Sequence, residues 1–342
     1  MMSKIMRILI CLSFLMISAS SGYAMMIAIP RLPDYIAKVP VIVEGHIRMS
    51  DGKSILIVDR FLKGSASNAI IIERDTEWAP AIKIVDGERV ILFFAYVNPD
   101  GTKALLYNGN ISKWPRQNDG FFVPTTYLTD DMTRFGAVIN ALIYAMDGKD
   151  FEERARRIIS MTKSPDEMLQ LAGLQLMTSS VFSKTLADGN NWQKLTQIAA
   201  FMLPLLKSEN PEIRIEAAAA TRHAPVSVAA PALIPLLTDP ARNVSQSAAS
   251  VLGMVFGELK LPRPVVVPSK LQFGEKLASV DVVQFRQNAR NWSEAVWSEK
   301  ADTQIAKDLV RLHKSLESGS ALERESAQIY INILEGTSVV EK

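Results

Sequence analysis

The sequence has almost no cysteine and little histidine. Its 342 residues include one cysteine, Cys11, which lies in an apolar run close to the amino terminus. The chain beyond residue 24 therefore has no thiol, which excludes disulfides, thiolate metal ligands and a cysteine nucleophile there. The three histidines, His46, His223 and His313, are far apart, and no H-E-x-x-H spacing occurs. The sequence therefore predicts neither a metal nor a cofactor.

An excess of charge of one sign is also missing. The chain has 38 basic and 36 acidic residues. The first 24 residues hold two basic residues, Lys4 and Arg7, and no acidic one, so 36 of each sign remain after them. Nucleic-acid binding depends on surplus lysine and arginine placed along phosphates, so this balance argues against a nucleic-acid partner.

Catalytic motifs are absent as well. There is no G-x-S-x-G, P-loop or G-x-G-x-x-G sequence, and the two S-x-x-K matches, at Ser50 and Ser160, lack the companion elements of that motif. We therefore predict no catalytic residue and expect a protein that is not an enzyme.

The chain has no apolar run long enough to span a bilayer, which takes about 20 residues. Its most apolar stretch, Ile8 to Ile17, follows Lys4 and Arg7 and precedes the small-residue sequence SASSGYA, which ends at Ala24. This order predicts a signal peptide over residues 1–24 and an exported protein, periplasmic or extracellular, without a membrane span after cleavage. The 318 residues that follow predict about two domains.

Short runs rich in valine, isoleucine and phenylalanine indicate β-strands in the first half. Asp-Gly or Lys-Gly pairs separate several of them, as tight turns require. Their apolar character on both faces predicts a small, closed or nearly closed barrel over residues 25–128. The runs are 39–47, 54–62, 69–74, 88–97, 104–108 and 120–123.

The sequences PDYIAKVPVIVEGHI, SILIVDRFLKG and DGERVILFFAYV carry a family resemblance. With the V-x-x-x-L-K-G step at Val58 to Gly64 and the turn Gly87-Glu88-Arg89, they resemble the netrin-module and metalloproteinase-inhibitor domains, which are OB-like barrels. Inhibitors of that family chelate the protease zinc through an amino-terminal cysteine. This chain has no cysteine there, so the resemblance implies the fold and not that inhibition.

A helical period begins after Thr129. Asp130 or Asp131 is expected to cap the first helix, and further helices are expected at about 150–162, 165–180 and 191–206. Residues 203–223 and 234–254 then match without a gap at a spacing of thirty-one residues. The matching positions are Pro204 with Pro235, Leu205-Leu206 with Leu236-Leu237, Ile213 with Val244, and Ala217-Ala218 with Ala248-Ala249.

This pattern resembles the repeats of HEAT-like α-solenoids, in which helix pairs bury their faces against neighbouring pairs. The segment EMLQLAG, with Met168, Ala172 and Gly173, resembles a degenerate earlier copy. Such repeats typically carry an arginine after the aliphatic residue and an aspartate in the turn. Because Ser208 and Ser245 replace two of these residues, we expect at most one such pair, Arg214 with Asp239.

The fold class expected from the sequence is therefore α+β multidomain: a small amino-terminal OB-like barrel followed by a HEAT-like α-solenoid over residues 129–260. Residues 261–268, LPRPVVVP, predict a connector that cannot continue a helix. The remainder, to residue 342, predicts a terminal helical cap. Its two apolar stripes are Ile305, Leu309, Leu312 and Leu316, and Leu322, Ile329 and Ile333.

We expect the solenoid surface to recognise a protein or peptide partner, with Arg214, Arg242 and Asn243 as the first candidates for contact. Two alternatives stay open. One is an exported hydrolase or carbohydrate-acting enzyme that uses the carboxylates from Glu73 to Glu77 beside Trp78. The other is an inhibitor of an exported protease that acts through the barrel loops.

Overall fold

A computed structural model describes residues 31–73, 84–106, 113–114, 125–127, 131–179, 182, 191–258 and 279–336. It confirms an α+β protein with a sheet first and helices after it. The predicted leader, the strand expected at 120–123, the segment Asp75 to Trp78 and the connector 261–268 lie outside these residues.

Six strands form the sheet, and five of them match strands predicted from the sequence. A short helix that the sequence analysis did not predict, α1 (Leu32–Lys38), precedes them and begins where Pro33 presets a helical φ. The strands are β1 (Val41–Ser50), β2 (Lys53–Lys63), β3 (Ala69–Glu73), β4 (Arg89–Val97), β5 (Lys103–Leu106) and β6 (Lys113–Trp114).

The strand pairing follows a circuit. β1 pairs with β2, β2 with β3, β3 with β5, β5 with β4, and β4 returns to β1. The β3–β5 pair is parallel and the other pairs are antiparallel. β6 adds to β4 at Ile91 and Leu92. Each of the first five strands therefore has at least two neighbours, and β4 has three.

Both faces are buried over residues 41–45 of β1 and 90–94 of β4, which explains the apolar runs there. Val43, Leu92 and Phe94 belong to a core enclosed by the strands. Their neighbours Ile42 and Phe93 point the other way and join the core of the helical part. The helices thus pack against one face of the sheet.

Two glycine positions show why the turns and the curvature need that residue. Asp51 and Gly52 both have positive φ, which fits the tight turn predicted between β1 and β2. A Cβ on Gly45 would lie 2.2 Å from the carbonyl oxygen of Ile57, and the register of β1 against β2 shifts beside it. Gly45 therefore lets the two strands approach closely where β1 bends.

Nine further helices follow the sheet in the described residues, and the first begins at the predicted cap, where the Asp131 side chain accepts the N–H of Arg134. They are α2 (Met132–Met146), α3 (Phe151–Thr162), α4 (Glu167–Thr178), α5 (Asn191–Ala199), α6 (Pro211–Thr221), α7 (Val226–Leu233), α8 (Arg242–Glu258), α9 (Ser279–Ser318) and α10 (Ala321–Leu334). Within these ranges no helix combines the length and the apolar character needed to cross a bilayer.

The two segments that gave the repeat, LPLL and IPLL, are 3₁₀ helices. They span Ala200–Lys207 after α5 and Ile234–Thr238 after α7. Pro204 and Pro235 lie inside them, and proline removes the N–H that an α-helix would use. The repeated prolines therefore favour a 3₁₀ helix in place of an α-helix after α5 and after α7.

Helices α2, α4, α6 and α8 contact one another in that order. The positions predicted to face neighbouring helices are buried, including Ile213, Val244 and Ala217. Small alanines let the helix backbones approach closely, and the aliphatic side chains fill the space between them. We refer to these four helices as the stack.

The carboxy-terminal helices α9 and α10 form a hairpin that packs against α5, α7 and both 3₁₀ segments. Leu312 and Leu322 of the predicted stripes are buried, whereas Ile333 is 43% exposed. Trp292 of α9 meets Phe256 of α8 edge to face, with ring centroids 5.7 Å apart. The hairpin thus lies along α5 and α7, the helices that alternate in sequence with those of the stack.

Candidate binding cleft

A cleft of about 900 Å³ lies between the hairpin and the ends of the helices it covers. One wall is α9 with the start of α10. The opposite wall is α5 and the turn that joins α6 to α7. We call this space the hairpin cleft.

Four cationic side chains line the hairpin cleft. Lys307, Arg311 and Lys314 come from α9, and Arg222 comes from the end of α6. None of the four forms an ion pair with another residue that the structure describes. The described lining residues therefore carry four cations, none of them in an ion pair, against the two carboxylates of Asp308 and Glu323.

The two carboxylates that line the cleft are engaged in structural hydrogen bonds. Asp308, 4% exposed, accepts the backbone N–H of Ser227 at 3.2 Å and the side-chain amide of Gln304 at 3.1 Å. Glu323 accepts the N–H of Ser320 at 3.1 Å and completes the capping box of α10. Asp308 thus caps α7 from α9.

Tyr330 of α10 secures the opposite end of the cleft. Its hydroxyl donates to the carbonyl of Thr196 in α5 at 2.6 Å. Complete burial raises the pKa of Tyr330 well above its ordinary value, so the phenol stays neutral and keeps this donor. Two hydrogen bonds therefore hold the hairpin in place: Asp308 joins α9 to α7, and Tyr330 joins α10 to α5.

His223 and Arg222 meet at the floor of the cleft. Nε of Arg222 donates to Nε2 of His223 at 3.0 Å, so the imidazole is neutral with its proton on Nδ1. Burial, and then the charge of Arg222, lower the pKa of His223 to about 3. Burial and the like charge of Arg31 also lower the pKa of Arg222, which Glu216 partly opposes.

Among the described residues that line the cleft, the serine hydroxyls donate to backbone carbonyls and none is bonded to a side-chain base. Ser227 comes close to Asp308 through its backbone, but its hydroxyl is buried and has no hydrogen-bond partner among the described residues. Nucleophilic catalysis by serine requires a hydroxyl bonded to its base. Fixed cations beside neutral amides and hydroxyls can instead attract and hold an anionic ligand.

Arg214, the first of the residues predicted to contact a partner, is joined to Asp239. Its Nε lies 2.9 Å from Oδ2 and its Nη2 lies 3.0 Å from Oδ1, which confirms the expected pair. Nη1 donates to the carbonyls of Ser208 and Glu209, and the side chain is only 13% exposed. Arg214 therefore links α6 to the turn before α8.

Arg242 and Asn243 are exposed at the start of α8, and neither lines the hairpin cleft. The structure does not bring the three predicted contact residues into one site. The cleft cations were not recognised in the sequence, since their spacing on α9 also fits a solvated helix face.

The expectation of at most one Arg–Asp pair was wrong. Arg134 of α2 binds Asp166, at the start of α4, through two bonds of 2.7 and 3.0 Å. The next two helices of the stack are linked by an amide: Asn210, at the start of α6, donates to Glu167, at the start of α4, at 2.9 Å. The sequence comparison missed these links because Arg134 lies outside the thirty-one-residue alignment.

The other candidate residues are dispersed. His46 lies 3.4 Å from Asp59 on the half-exposed face of β1 and β2, and His313 is exposed on α9. Among the described residues, no three histidine, aspartate or glutamate side chains form a cluster suited to a metal. Glu73 lies 3.9 Å from Lys103, and the remaining members of its acidic cluster fall outside the described residues.

No known protein-family model matches the chain, and no curated protein shows significant sequence similarity to it.

Proposed function

We propose that this chain is an exported, non-enzymatic binding protein that holds a protein or peptide partner in the hairpin cleft. One observation carries the proposal. The cleft presents four cations without ion-pair partners among the described residues, while its carboxylates are engaged in capping helices. The four cations outnumber the two carboxylates, and this excess of positive charge is suited to recognition of a ligand of the opposite sign.

The proposed architecture is an OB-like barrel of the netrin type followed by HEAT-like helix pairs. The strand circuit β1-β2-β3-β5-β4, closed by β1–β4 pairing, supports the barrel. Contacts between α4, α6 and α8, with their buried alanines, support repeated pairs α3/α4, α5/α6 and α7/α8. The barrel would then anchor the first pairs, leaving the later ones for recognition.

The junction between barrel and helices supports this division of roles. Arg31, just before α1, donates to the carbonyl of Thr178 at 2.8 Å and lies 3.3 Å from Glu216 of α6. The hydroxyl of Tyr127 and the side-chain oxygen of Gln175 lie 3.1 Å apart within the core. These buried contacts favour a rigid support over a second recognition surface.

Export rests on the leader pattern over residues 1–24. Mass spectrometry of the protein recovered from the periplasm or the medium tests it, and we expect an amino terminus at Met25. Retention of Met1 in a protein that remains in the cytosol would contradict export.

Paired bulky substitutions test the recognition surface. Ser315 and Ser318 line the cleft and bond only within α9, so Ser315→Trp with Ser318→Trp fills it without removing a contact between helices. Gln246→Trp with Ser250→Trp is the matched control on the exposed face of α8. Arg242→Ala with Asn243→Ala probes the surface predicted from the sequence.

The full chain serves as bait for proteins extracted from its native envelope or medium. We expect the wild type and the α8 variant to capture the same defined protein, and the cleft variant to lose it. If the cleft variant keeps the partner and the Arg242 and Asn243 variant loses it, the recognition surface is the edge of α8. Turnover of a substrate by the purified chain would overturn the non-enzymatic proposal.

A further inference from the structure

Three of the cleft cations form a row on one helix. Lys307, Arg311 and Lys314 are separated by four and three residues, which places them on one face of α9. Seven residues of α-helix span about 10 Å. All three side chains are exposed, so the row faces the cleft with its charges in solvent.

The fourth cation lies deeper than this row. Arg222 is half-buried, and within the described part of the chain it bonds to a neutral imidazole and forms no ion pair with a carboxylate. The desolvation that lowers the pKa of Arg222 is a cost of burying this charge, and the nearby carboxylate of Glu216 offsets it only in part. An anionic group beside Arg222 would reduce that cost.

We propose that the hairpin cleft binds an acidic peptide segment, with carboxylates spaced along the row Lys307, Arg311 and Lys314 and one directed toward Arg222. This inference rests on the proposed function and names the chemistry of the partner. An extended peptide rises about 3.3 Å per residue, so the row matches three to four residues. Side chains of Gln193, Gln304 and Ser318 line the same cleft and can bond to the peptide backbone.

The chemistry of the walls favours a peptide over a single-stranded nucleic acid. Proteins that bind single strands present exposed aromatic rings on which bases stack. The aromatic rings among the described lining residues belong to Tyr330, which is fully buried and bonded to Thr196, and to His223, which is only 4% exposed. Cations with amides and hydroxyls, without a stacking platform, suit carboxylates on a polypeptide.

Fluorescence anisotropy with the full chain tests the assignment. The probe is a labelled octapeptide that alternates glutamate with glycine, and an octapeptide of the same length with glutamine is the control. The cleft variant is Lys307→Glu with Arg311→Glu and Lys314→Glu. The matched control is Arg48→Glu with Lys53→Glu and Lys207→Glu, which changes net charge equally at exposed positions outside the cleft that form no ion pair with described residues.

We expect the wild type and the control variant to bind the glutamate peptide, and the cleft variant to bind at least about tenfold more weakly. Raising the salt concentration should weaken binding to the wild type and leave little effect on the cleft variant. Lys307→Gln with Arg311→Gln and Lys314→Gln should give an intermediate loss, and its circular dichroism should match the wild type.

Three results would overturn the acidic-peptide assignment. They are equal binding of the glutamine peptide, an equal loss in the control variant, and tighter binding of a single-stranded oligonucleotide of the same charge. If the peptide fails to bind while the two-tryptophan cleft variant still loses the native partner, the proposed function stands and only this assignment falls. If the peptide fails to bind and the two-tryptophan cleft variant still binds the native partner, both the acidic-peptide assignment and the proposed function are wrong.

Discussion

Arg214 and Asp239 are joined by two side-chain hydrogen bonds of 2.9 and 3.0 Å, although 25 residues separate them in the chain. Asp239 also accepts the N–H of Ala241, so the same carboxylate begins the turn into α8. One pair therefore fixes the start of α6 against the start of the next helix in the stack.

Asp239→Asn should destabilise the protein by about 2 to 3 kcal/mol, because it leaves the largely buried guanidinium of Arg214 without its counterion. Urea unfolding followed by circular dichroism measures the loss. Arg242→Ala, at an exposed site at the start of α8, should change the unfolding free energy by less than about 0.5 kcal/mol. Equal losses in the two variants would show that the pair contributes nothing specific.

Glu44 is the centre of a second charged contact, at the surface where the sheet meets α2. It is fully buried and accepts a hydrogen bond from Arg60 at 2.6 Å and another from Arg89. Gly136 of α2 lies over the group, since a Cβ there would be 2.7 Å from Nη2 of Arg60. The absence of a Cβ at Gly136 thus lets α2 lie close to the side chains of Arg60 and Glu44.

Glu44→Gln should cost about 2 kcal/mol, because it removes the charge that binds two arginines while the half-exposed arginines can still be hydrated. The midpoint of urea unfolding measures this cost. Glu73→Gln is the control, since Glu73 is half-exposed and its contact with Lys103 is long at 3.9 Å. A shift for Glu44→Gln no larger than that of the control would contradict a stabilising role.

The sequence predicted the parts of the fold that local periodicity determines. The strands β1 to β5, the cap at Asp131 and the pair Arg214 with Asp239 follow from alternation, turn residues and a fixed repeat spacing. The helix α1 was missed because seven residues beside a strand carry too little periodicity to be distinguished.

The hairpin cleft was missed for a different reason. Arg222 and Lys307 are 85 positions apart, and only the docking of the hairpin, with α9 against α7 and α10 against α5, brings them to one space. Before that docking is known, the row on α9 has the same pattern as an ordinary solvated face. Packing between distant helices, and not any local signal, creates the candidate site.

Asp308 caps α7 from another helix, which gives a localised prediction. Asp308→Ala removes the acceptor of the Ser227 N–H and should destabilise the start of α7 by about 1 kcal/mol. Hydrogen exchange at residues 226–233 measures the effect, and we expect roughly fivefold faster exchange there. Asp302→Ala, at an exposed position on α9, is the control and should leave this exchange unchanged.

His223 should make the protein sensitive to acid. Its pKa in the folded protein is about 3, below the ordinary value of 6.5, so the folded state favours the neutral imidazole. The stability that this provides is present above pH 6.5 and is lost as the pH falls toward 3. At pH 4 the loss from this residue amounts to about 3 kcal/mol, since one pKa unit corresponds to about 1.4 kcal/mol.

We therefore expect the unfolding free energy of the wild type to fall between pH 7 and pH 4 by about 3 kcal/mol more than that of His223→Gln. Urea titrations at both values measure the difference. His313→Gln is the matched control, because His313 is exposed on α9 and the substitution should leave the acid sensitivity of the wild type intact. If His223→Gln and His313→Gln lose stability in parallel on acidification, the acid sensitivity does not come from the imidazole at the floor of the cleft.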